Sequence, residues 1–292
     1  MKCPVTDDNT KYITLIGTPL KQSFAARMQN RAYEALGLDL HYFNTEADET
    51  RLGEIIDDIR RSPSFCGAAV TKPNKVGVIR YLDELDPLCE RICACNTVVK
   101  LPDGRLRGYN TDAIGFYRSL TEDAGVSVRG KSFLCLGAGG AGRAICSALA
   151  YYGAEKIYIS SLTPASRESA AHDINTNFSP IAEAVATCDT ALIRDCDVII
   201  NATGVGMGKT FGQSPLKKEL MLPGKLYFDA CYNPEKTRFL SDAEAAGGRI
   251  LNGLGMSLYQ GAAQIELWSG EKAPVDVMRS ELLTMISEKN DR

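Results

Sequence analysis

The chain has no apolar run of the length, about 18 residues or more, that crosses a bilayer. Its opening stretch, Met1 to Gly17, carries Asp7 and Asp8 where a secretory leader needs an uninterrupted apolar segment. Neither a membrane nor an export route is expected, so the protein is expected to stay in the cytoplasm. A basic excess is missing too: 33 Lys and Arg against 36 Asp and Glu leave a net charge of -3, the wrong sign for neutralising phosphate backbones. Nucleic acid is therefore not an expected partner. Histidine is scarce. His41 and His172 are the only two, and neither falls at a strand end or turn where a general acid is needed, which disfavours a His-driven dehydrogenase. Cysteine is plentiful at ten, but the pairing patterns of zinc sites are absent. The tightest group, Cys89, Cys93 and Cys95, lacks the CxxC spacing and a neighbouring His, so no metal is expected. The remaining thiols sit in apolar stretches such as FLCLGAGG and AICSALA and read as reduced and mostly buried. Internal repeats and Pro-rich linkers are also lacking.

What is present fits a folded protein of about two domains. The 292 residues are 45% apolar and 24% charged, with 26 Gly and 12 Pro, which excludes collagen-like, low-complexity and disordered classes. Short β-branched runs alternate with longer amphipathic ones, the pattern of β-α-β units around a mostly parallel sheet, so the fold class is α/β. The first series predicts a strand over Tyr12 to Ile16, a helix over Ala25 to Leu36 stopped by Gly37, and a strand over Leu40 to Asn44. A helix over Thr50 to Arg61 and a strand over Phe65 to Val70 continue it. A hairpin of Cys95 to Lys100, the Asp103-Gly104 turn and Leu106 to Tyr109 closes the unit. A second series begins after Lys131, with strands over SFLCLG, Lys156 to Ser160, Cys196 to Asn201 and Leu226 to Ala230. Helical periods run from Met256 to about Trp268 and from Val275 to about Glu288.

The second series opens on a glycine fingerprint. Gly137, Gly139 and Gly142 fit G-x-G-x-x-G directly after a strand and at the start of a helix, with Gly140 and Ala141 inside the loop. The first glycine allows a tight turn, the second lets a pyrophosphate approach the backbone, and the third lets helix and strand pack closely. The helix N-terminus stabilises the negative charge. This context points to dinucleotide binding. At the end of the next strand, an acid selects NAD and a cation selects NADP. The sequence there is Ser160-Ser161-Leu162-Thr163-Pro164, which offers neither, with Arg167 a few residues on. Both cofactors stay open, with the balance toward NADP.

Three polar strings remain in the first half, each read as sitting at the end of an apolar strand where α/β sheets place ligands. They are Val70-Thr71-Lys72-Pro73-Asn74-Lys75, Asn96-Thr97, and Gly108-Tyr109-Asn110-Thr111-Asp112. A lysine near a carboxylate can move a proton to or from a hydroxyl during hydride transfer, whereas an isolated Lys and Asp are more often surface charges. The string Tyr232-Asn233-Pro234-Glu235-Lys236 matches a Tyr-x-x-x-Lys pair on paper. That pair needs a helix, and Pro234 disrupts one.

Taken together, VTKPNK, CNT, GYNTD, GAGGAGRA, NATGVGM and NGLGMSLYQGAAQIELWSG, in this order and spacing, resemble the shikimate dehydrogenase and quinate/shikimate dehydrogenase family from about Ile16 to Gly270. The resemblance implies an N-terminal α/β substrate domain, residues 1–111, completed by C-terminal helices within 254–292. It implies a Rossmann NAD(P)-binding domain at 112–253 and an active site in the cleft between the two. It implies Lys75 and Asp112 as the catalytic pair. Thr71, Asn96 and Gln260 bind ring hydroxyls on this reading, Tyr232 lines the pocket, and Ser23 holds the substrate carboxylate. Facing the cofactor are the glycine loop, Ser161, Thr163 and Arg167, then Thr203, Gly206 and Met207 beside the nicotinamide, and Gly253. The implied activity is a step of aromatic amino acid biosynthesis, acting on a small molecule, by a monomer or homodimer.

Three departures from the family pattern bear on substrate and cofactor. The usual Ser-x-Ser string reads Ser23-Phe24-Ala25 here, so one of two hydroxyls for the carboxylate is missing. Losing a hydrogen bond to a charged group weakens binding about 10-fold to 150-fold where Gln22, a backbone N–H or Tyr232 does not substitute. The Asn-Arg-Thr string that clamps a 2'-phosphate reads Ser161-Leu162-Thr163, leaving Arg167 as a displaced substitute. Cys93 stands where Gly is usual, read as core packing or as a reshaped pocket floor. The alternatives are a dehydrogenase of a related polyol carboxylate, such as quinate or aminoshikimate, and a metabolite-sensing relative without turnover.

Overall fold

A computed structural model describes residues 10–21 and 23–290, and Gln22, the suggested stand-in for the missing hydroxyl, lies outside them. The chain forms two compact units, one of residues up to Thr111 together with those from Leu258 onward, the other of Asp112–Ser257.

The first unit contains β1 (Lys11–Gly17), α1 (Ala25–Leu36), β2 (Leu40–Glu46), α2 (Glu49–Arg61), β3 (Phe65–Val70), β4 (Glu84–Leu85), α3 (Pro87–Ile92), β5 (Thr97–Lys100) and β6 (Leu106–Tyr109). Their sheet runs in the order β2-β1-β3-β5-β6-β4. β1, β2 and β3 are parallel, whereas β5 is antiparallel to both β3 and β6. The helix ends follow local chemistry. Gly37 takes a left-handed φ of 65° to close α1, Asp48 accepts the Thr50 N–H to open α2, and Asp86 with Pro87 starts α3. On α2 the buried stripe Leu52, Ile55, Ile56 and Ile59 covers one sheet face and packs with Ile16, Phe65, Val70 and Val98.

The second unit contains α4 (Thr111–Arg118), which opens on the last residue before Asp112 and runs into a π turn at Ser119–Asp123. Then come β7 (Ser132–Leu136), α5 (Gly140–Tyr151), β8 (Lys156–Ser160), α6 (Pro164–Asn177), β9 (Ala182–Val185), α7 (Thr190–Asp195), β10 (Val198–Asn201), β11 (Leu226–Asp229), α8 (Arg238–Ala245) and β12 (Arg249–Asn252). The sheet is wholly parallel, ordered β12-β11-β10-β7-β8-β9, the doubly wound arrangement that leaves a switch point between β7 and β10. β10 and β11 are buried along their whole length, as strands covered on both faces must be.

Two long helices end the chain, α9 (Leu254–Ser269) and α10 (Val275–Asn290). The part of α9 from Leu258 on packs in the first unit, where Trp268 Nε1 donates to the Val98 carbonyl at 3.0 Å. Gly67 in β3 makes room for it. A Cβ there would stand 2.1 Å from the Val98 carbonyl oxygen and 2.9 Å from Trp268 Nε1.

The fold differs from the sequence expectation in several places. Asn96 and Thr97 do not end an apolar strand: Thr97 begins β5, and Cys95 lies outside it with its N–H on the Lys75 carbonyl at 2.8 Å. The third strand of the second series starts at Val198 instead of Cys196, which caps α7. α6, β9 and α7 were not foreseen. α6 buries little beyond Ala170, Ala171 and Ile174, too weak a stripe to stand out in sequence, and β9 is a four-residue edge.

Gly67→Ala is expected to destabilise the first unit by about 3 kcal/mol or more, because backbone on one side and an indole on the other leave the methyl nowhere to go. Trp268 is the sole tryptophan, so its fluorescence during urea unfolding measures the loss.

Candidate active site

The polar strings of the first half meet at one edge of the first sheet. β1 and β3 run in parallel and end there at Gly17 and Val70, antiparallel β5 starts there, and β6 ends there at Tyr109. Backbone bonds tie the strings together: Thr71 N to Ile16 O at 2.9 Å, Val70 N to Asn96 O at 2.8 Å, and Asn96 N to Tyr109 O at 3.1 Å. Thr18 N bonds Lys72 O at 2.9 Å, and Gly17 is required beside it, since a Cβ would lie 2.7 Å from that oxygen. Thr71, Lys75, Asn96 and Thr111 are thereby brought to one edge. Asp112 follows Thr111 directly and lies in the first turn of α4.

Asn74 pins the loop that carries Lys75. It is fully buried, and its Nδ2 donates to the Ala47 carbonyl at 2.8 Å. The sequence reading quoted this residue without giving it a role. Asn96 is 2% exposed, and its Oδ1 accepts from Thr111 N at 2.7 Å, Thr97 Oγ1 at 2.9 Å and Thr111 Oγ1 at 3.1 Å. Its Nδ2 donates to Gln260 Oε1 at 3.4 Å. A carboxamide has two N–H donors, so Nδ2 keeps one beyond this bond. Ser23 precedes α1, where its hydroxyl accepts the Ala25 N–H at 3.3 Å. It lines an open cavity of about 380 Å³ with Lys21, Phe24, Arg27 and Lys289.

In the second unit the glycine loop joins β7 to α5. Gly137 has a φ of 109°, in the left-handed region, and its N–H bonds Ser160 O at 2.7 Å. A Cβ on Gly142 would sit 2.0 Å from the Gly137 carbonyl oxygen, which is the close helix-to-strand approach the third glycine permits. Gly139 and Gly140 face open space, and Gly139 caps α5 with no side chain on the helix amides. Those amides suit a pyrophosphate, and Ala141 beside them is exposed. A cavity of about 520 Å³ opens at this switch point, lined among others by Gly137, Gly139, Ser161, Arg167 and Thr203. Its described lining contains no carboxylate, and its one charged side chain is Arg167. Arg167 Nη1 donates to the Ser161 carbonyl at 3.0 Å, while Thr163 caps α6 with its hydroxyl unspent on the helix. Leu162 is fully exposed.

Thr203 is held by a buried network that sequence reading missed. Asn201 Oδ1 accepts its N–H at 3.1 Å and its hydroxyl at 2.6 Å, and Asn201 Nδ2 donates to Val205 O at 2.9 Å and Asp229 Oδ1 at 3.0 Å. Asp229 also accepts from Thr237 Oγ1 at 2.6 Å and Cys231 N at 2.9 Å. Burial pushes its carboxyl pKa up, and these donors oppose the shift. Gly206 has a φ of 112° and packs against Thr237. Gly206, Met207 and Gly253 do not line the cavity. Gly253 has a packing reason, since its Cβ would lie 2.2 Å from Ala230 O. Tyr232 is half-buried, and burial raises the pKa of its hydroxyl, keeping it a donor at neutral pH.

Comparison with known proteins decides the family. The chain is 38% identical over 283 residues to the shikimate dehydrogenase (NADP(+)) of Desulforamulus reducens, covering 96% of this chain and 97% of the relative. This chain belongs to the shikimate dehydrogenase family. The family's substrate binding domain model matches residues 15–98, and its C-terminal domain model matches 253–283. Among solved structures, shikimate 5-dehydrogenase from Listeria monocytogenes, in complex with shikimate and NAD, superposes with a TM-score of 0.90 at 35% identity over 96% of this chain and 99% of that one. The 5-ketofructose reductase of a Gluconobacter strain gives a TM-score of 0.88 at 31% identity, over 96% of this chain and all of that one.

Against the family pattern, one reading needs correction. Cys93 is not core packing: it is exposed and closes α3 at a φ of 56°. Glycine is favoured at such a position for its left-handed backbone. Among the described residues no group of His, Cys, Asp and Glu could hold a metal, and the nine described cysteines are free, six of them buried. The Tyr232 to Lys236 string forms bends instead of a helix.

Gly142→Ala is expected to lower Tm and to weaken dinucleotide affinity more than about 10-fold, because the added methyl meets backbone. Gly140→Ala meets open space and should leave Tm unchanged. Thermal scans and cofactor fluorescence titration check both.

Proposed function

We propose that this chain is an NAD(P)-dependent shikimate dehydrogenase, reversibly interconverting shikimate and 3-dehydroshikimate. The observation that carries the reading is the gathering of Thr71, Lys75, Asn96 and Thr111 at one sheet edge, with Asp112 next in the chain. When bound, the nicotinamide supplies the hydride acceptor or donor at C4. The protein's part is to hold the ring and move the proton. As the carbon is oxidised, the single hydroxyl proton passes to the Lys75 and Asp112 pair, and in the reverse direction the pair returns it or polarises the carbonyl. Thr71, Asn96 and Gln260 hold the ring hydroxyls, Asn96 through its outward N–H. Ser23 and the Tyr232 phenol hold the carboxylate.

The residues of the second unit fit a dinucleotide, with pyrophosphate at the α5 amides and adenosine ribose near Ser161, Thr163 and Arg167. Absence of a carboxylate at the β8 end favours NADP over NAD, in line with the relative named for NADP(+). The reading extends to a cytoplasmic monomer or homodimer with a small-molecule partner. Among the described residues no helix is long and apolar enough to cross a membrane.

Ala25 favours a second reading, in which a related polyol carboxylate such as quinate or aminoshikimate is preferred because the carboxylate loses one hydroxyl partner. The presence of both Lys75 and Asp112 speaks against a sensor without turnover.

A spectrophotometric matrix of NAD and NADP against shikimate and quinate tests the reading. Shikimate with NADP is expected to give the highest kcat/KM, and no absorbance change at 340 nm in any cell of the matrix would refute it. Lys75→Ala is expected to lower kcat by about 100-fold or more while cofactor affinity stays within about twofold. Arg167→Ala should raise KM for NADP about 10-fold, the worth of one charge-assisted hydrogen bond, and leave KM for NAD nearly unchanged.

A further inference from the structure

The first unit carries a buried row of carboxamides beyond the residues already assigned. Gln264 on α9 is 2% exposed, and Gln29 on α1 is fully buried. Gln264 Nε2 donates to Thr97 Oγ1 at 3.0 Å and to the Asn96 carbonyl at 3.5 Å. Its Oε1 accepts from Gln29 Nε2 at 3.1 Å and from Gln260 Nε2 at 3.4 Å. A carboxamide has two N–H donors and two acceptor positions, so every one on Gln264 is committed.

Backbone groups fix the direction of the row from both ends. The Thr111 N–H can only donate, so the Asn96 atom 2.7 Å from it is Oδ1. Nδ2 therefore turns to Gln260 Oε1, which leaves Gln260 Nε2 for Gln264 Oε1. At the far end the Gly261 carbonyl can only accept, so Gln29 presents Nε2 to it at 3.2 Å and the same nitrogen to Gln264. Both ends thus require Gln264 to face the two glutamines with oxygen and Thr97 with nitrogen. The Thr97 and Thr111 hydroxyls, 3.0 Å apart, lie 2.9 and 3.1 Å from Asn96 Oδ1, so together with the Thr111 N–H they supply that oxygen's donors. Oδ1 is thereby filled, and among the described residues Asn96 and Gln260 each keep one uncommitted N–H for a ligand.

We propose that Gln264, backed by Gln29, is a positioning residue that sets the donor-outward orientation of Asn96 and Gln260 and thereby the affinity for the substrate's ring hydroxyls. This rests on the reading of Asn96 and Gln260 as the groups that hold those hydroxyls. Without Gln264, Thr97 and Gln260 each lose a partner and both ligand-facing amides are released to rotate. Gln264 does not touch the substrate itself. Its effect falls on binding more than on the proton or hydride step.

The test compares the full chain with Gln264→Met, which keeps side-chain length and removes all four hydrogen bonds, with Asn96→Ala, and with the double variant, using shikimate and NADP. In Gln264→Met, KM for shikimate is expected to rise about 10-fold to 100-fold, kcat to fall less than about threefold, and KM for NADP to stay within about twofold. In the Asn96→Ala background the same substitution should add less than about threefold, because it acts through the residue already removed. An unchanged shikimate KM in folded Gln264→Met, or full multiplication of the two effects, would overturn the proposal. Should Gln264→Met not fold, Gln29→Leu removes only the outermost amide and should raise that KM about threefold to 10-fold, with no change overturning the proposal. A readout independent of turnover is the Asn96 side-chain amide signal in NMR of the ligand-free protein, assigned by its loss in Asn96→Ala. It should shift in Gln264→Met, and an unmoved signal overturns the positioning role. If the parent chain fails to turn over shikimate, the functional reading falls alone and the amide signal still decides the orientation.

Discussion

One reversal of strand direction governs the first unit. β5 enters antiparallel between β3 and β6, so its first residues lie beside the last residues of its neighbours. Three polar strings far apart in sequence then share an edge, and each backbone bond between them serves two strings. The N–H of Asn96 on Tyr109 and its carbonyl on Val70 make that residue a crossbar between β3 and β6. Its side chain inherits the same fixity, since three donors converge on one oxygen. Buried polar groups of this kind cost free energy unless they are paired, and Thr97, Thr111, Gln260 and Gln264 supply the partners that hold the Asn96 oxygen and turn its nitrogen.

The second unit solves a different problem with the same economy of polar groups. A dinucleotide needs backbone close at hand, so side chains are removed where strand, turn and helix meet, at Gly137, Gly139 and Gly142. The loop after β10 is then held by polar side chains at the sheet's carboxyl edge. Asn201 and Asp229, both buried, bond each other and reach out to Thr203, Val205 and Thr237. The stretch after β8 is looser. Ser161, Thr163 and Arg167 present hydroxyls and one guanidinium around an exposed Leu162, in place of a clamp built from adjacent residues.

Sequence patterns carried the α/β class, the glycine loop and the main strands of both sheets, because apolar periodicity and glycine placement are local properties. They failed where the deciding force was not local. α6 has almost no apolar stripe, β9 is four residues at a sheet edge, and Cys93 takes a backbone shape that no side-chain property announces. Asn74, Gln29 and Gln264 look like ordinary polar residues of loop and helix until burial turns them to partners inside the fold, the Ala47 carbonyl for Asn74 and each other, Thr97 and Gln260 for the two glutamines.

By itself, the order of residues determined which groups exist to do chemistry: a lysine after a buried strand, an Asn-Thr-Asp string after a hairpin, a glycine turn before a helix, and one serine where two are usual. Tertiary structure alone decided their directions. Whether Asn96 turns its oxygen or its nitrogen toward Gln260 depends on where the Thr111 N–H falls, and that follows from the pairing of β5 with β6. Hydrogen bonds are directional and need a donor facing an acceptor, a condition on positions in space that spacing along a chain does not contain.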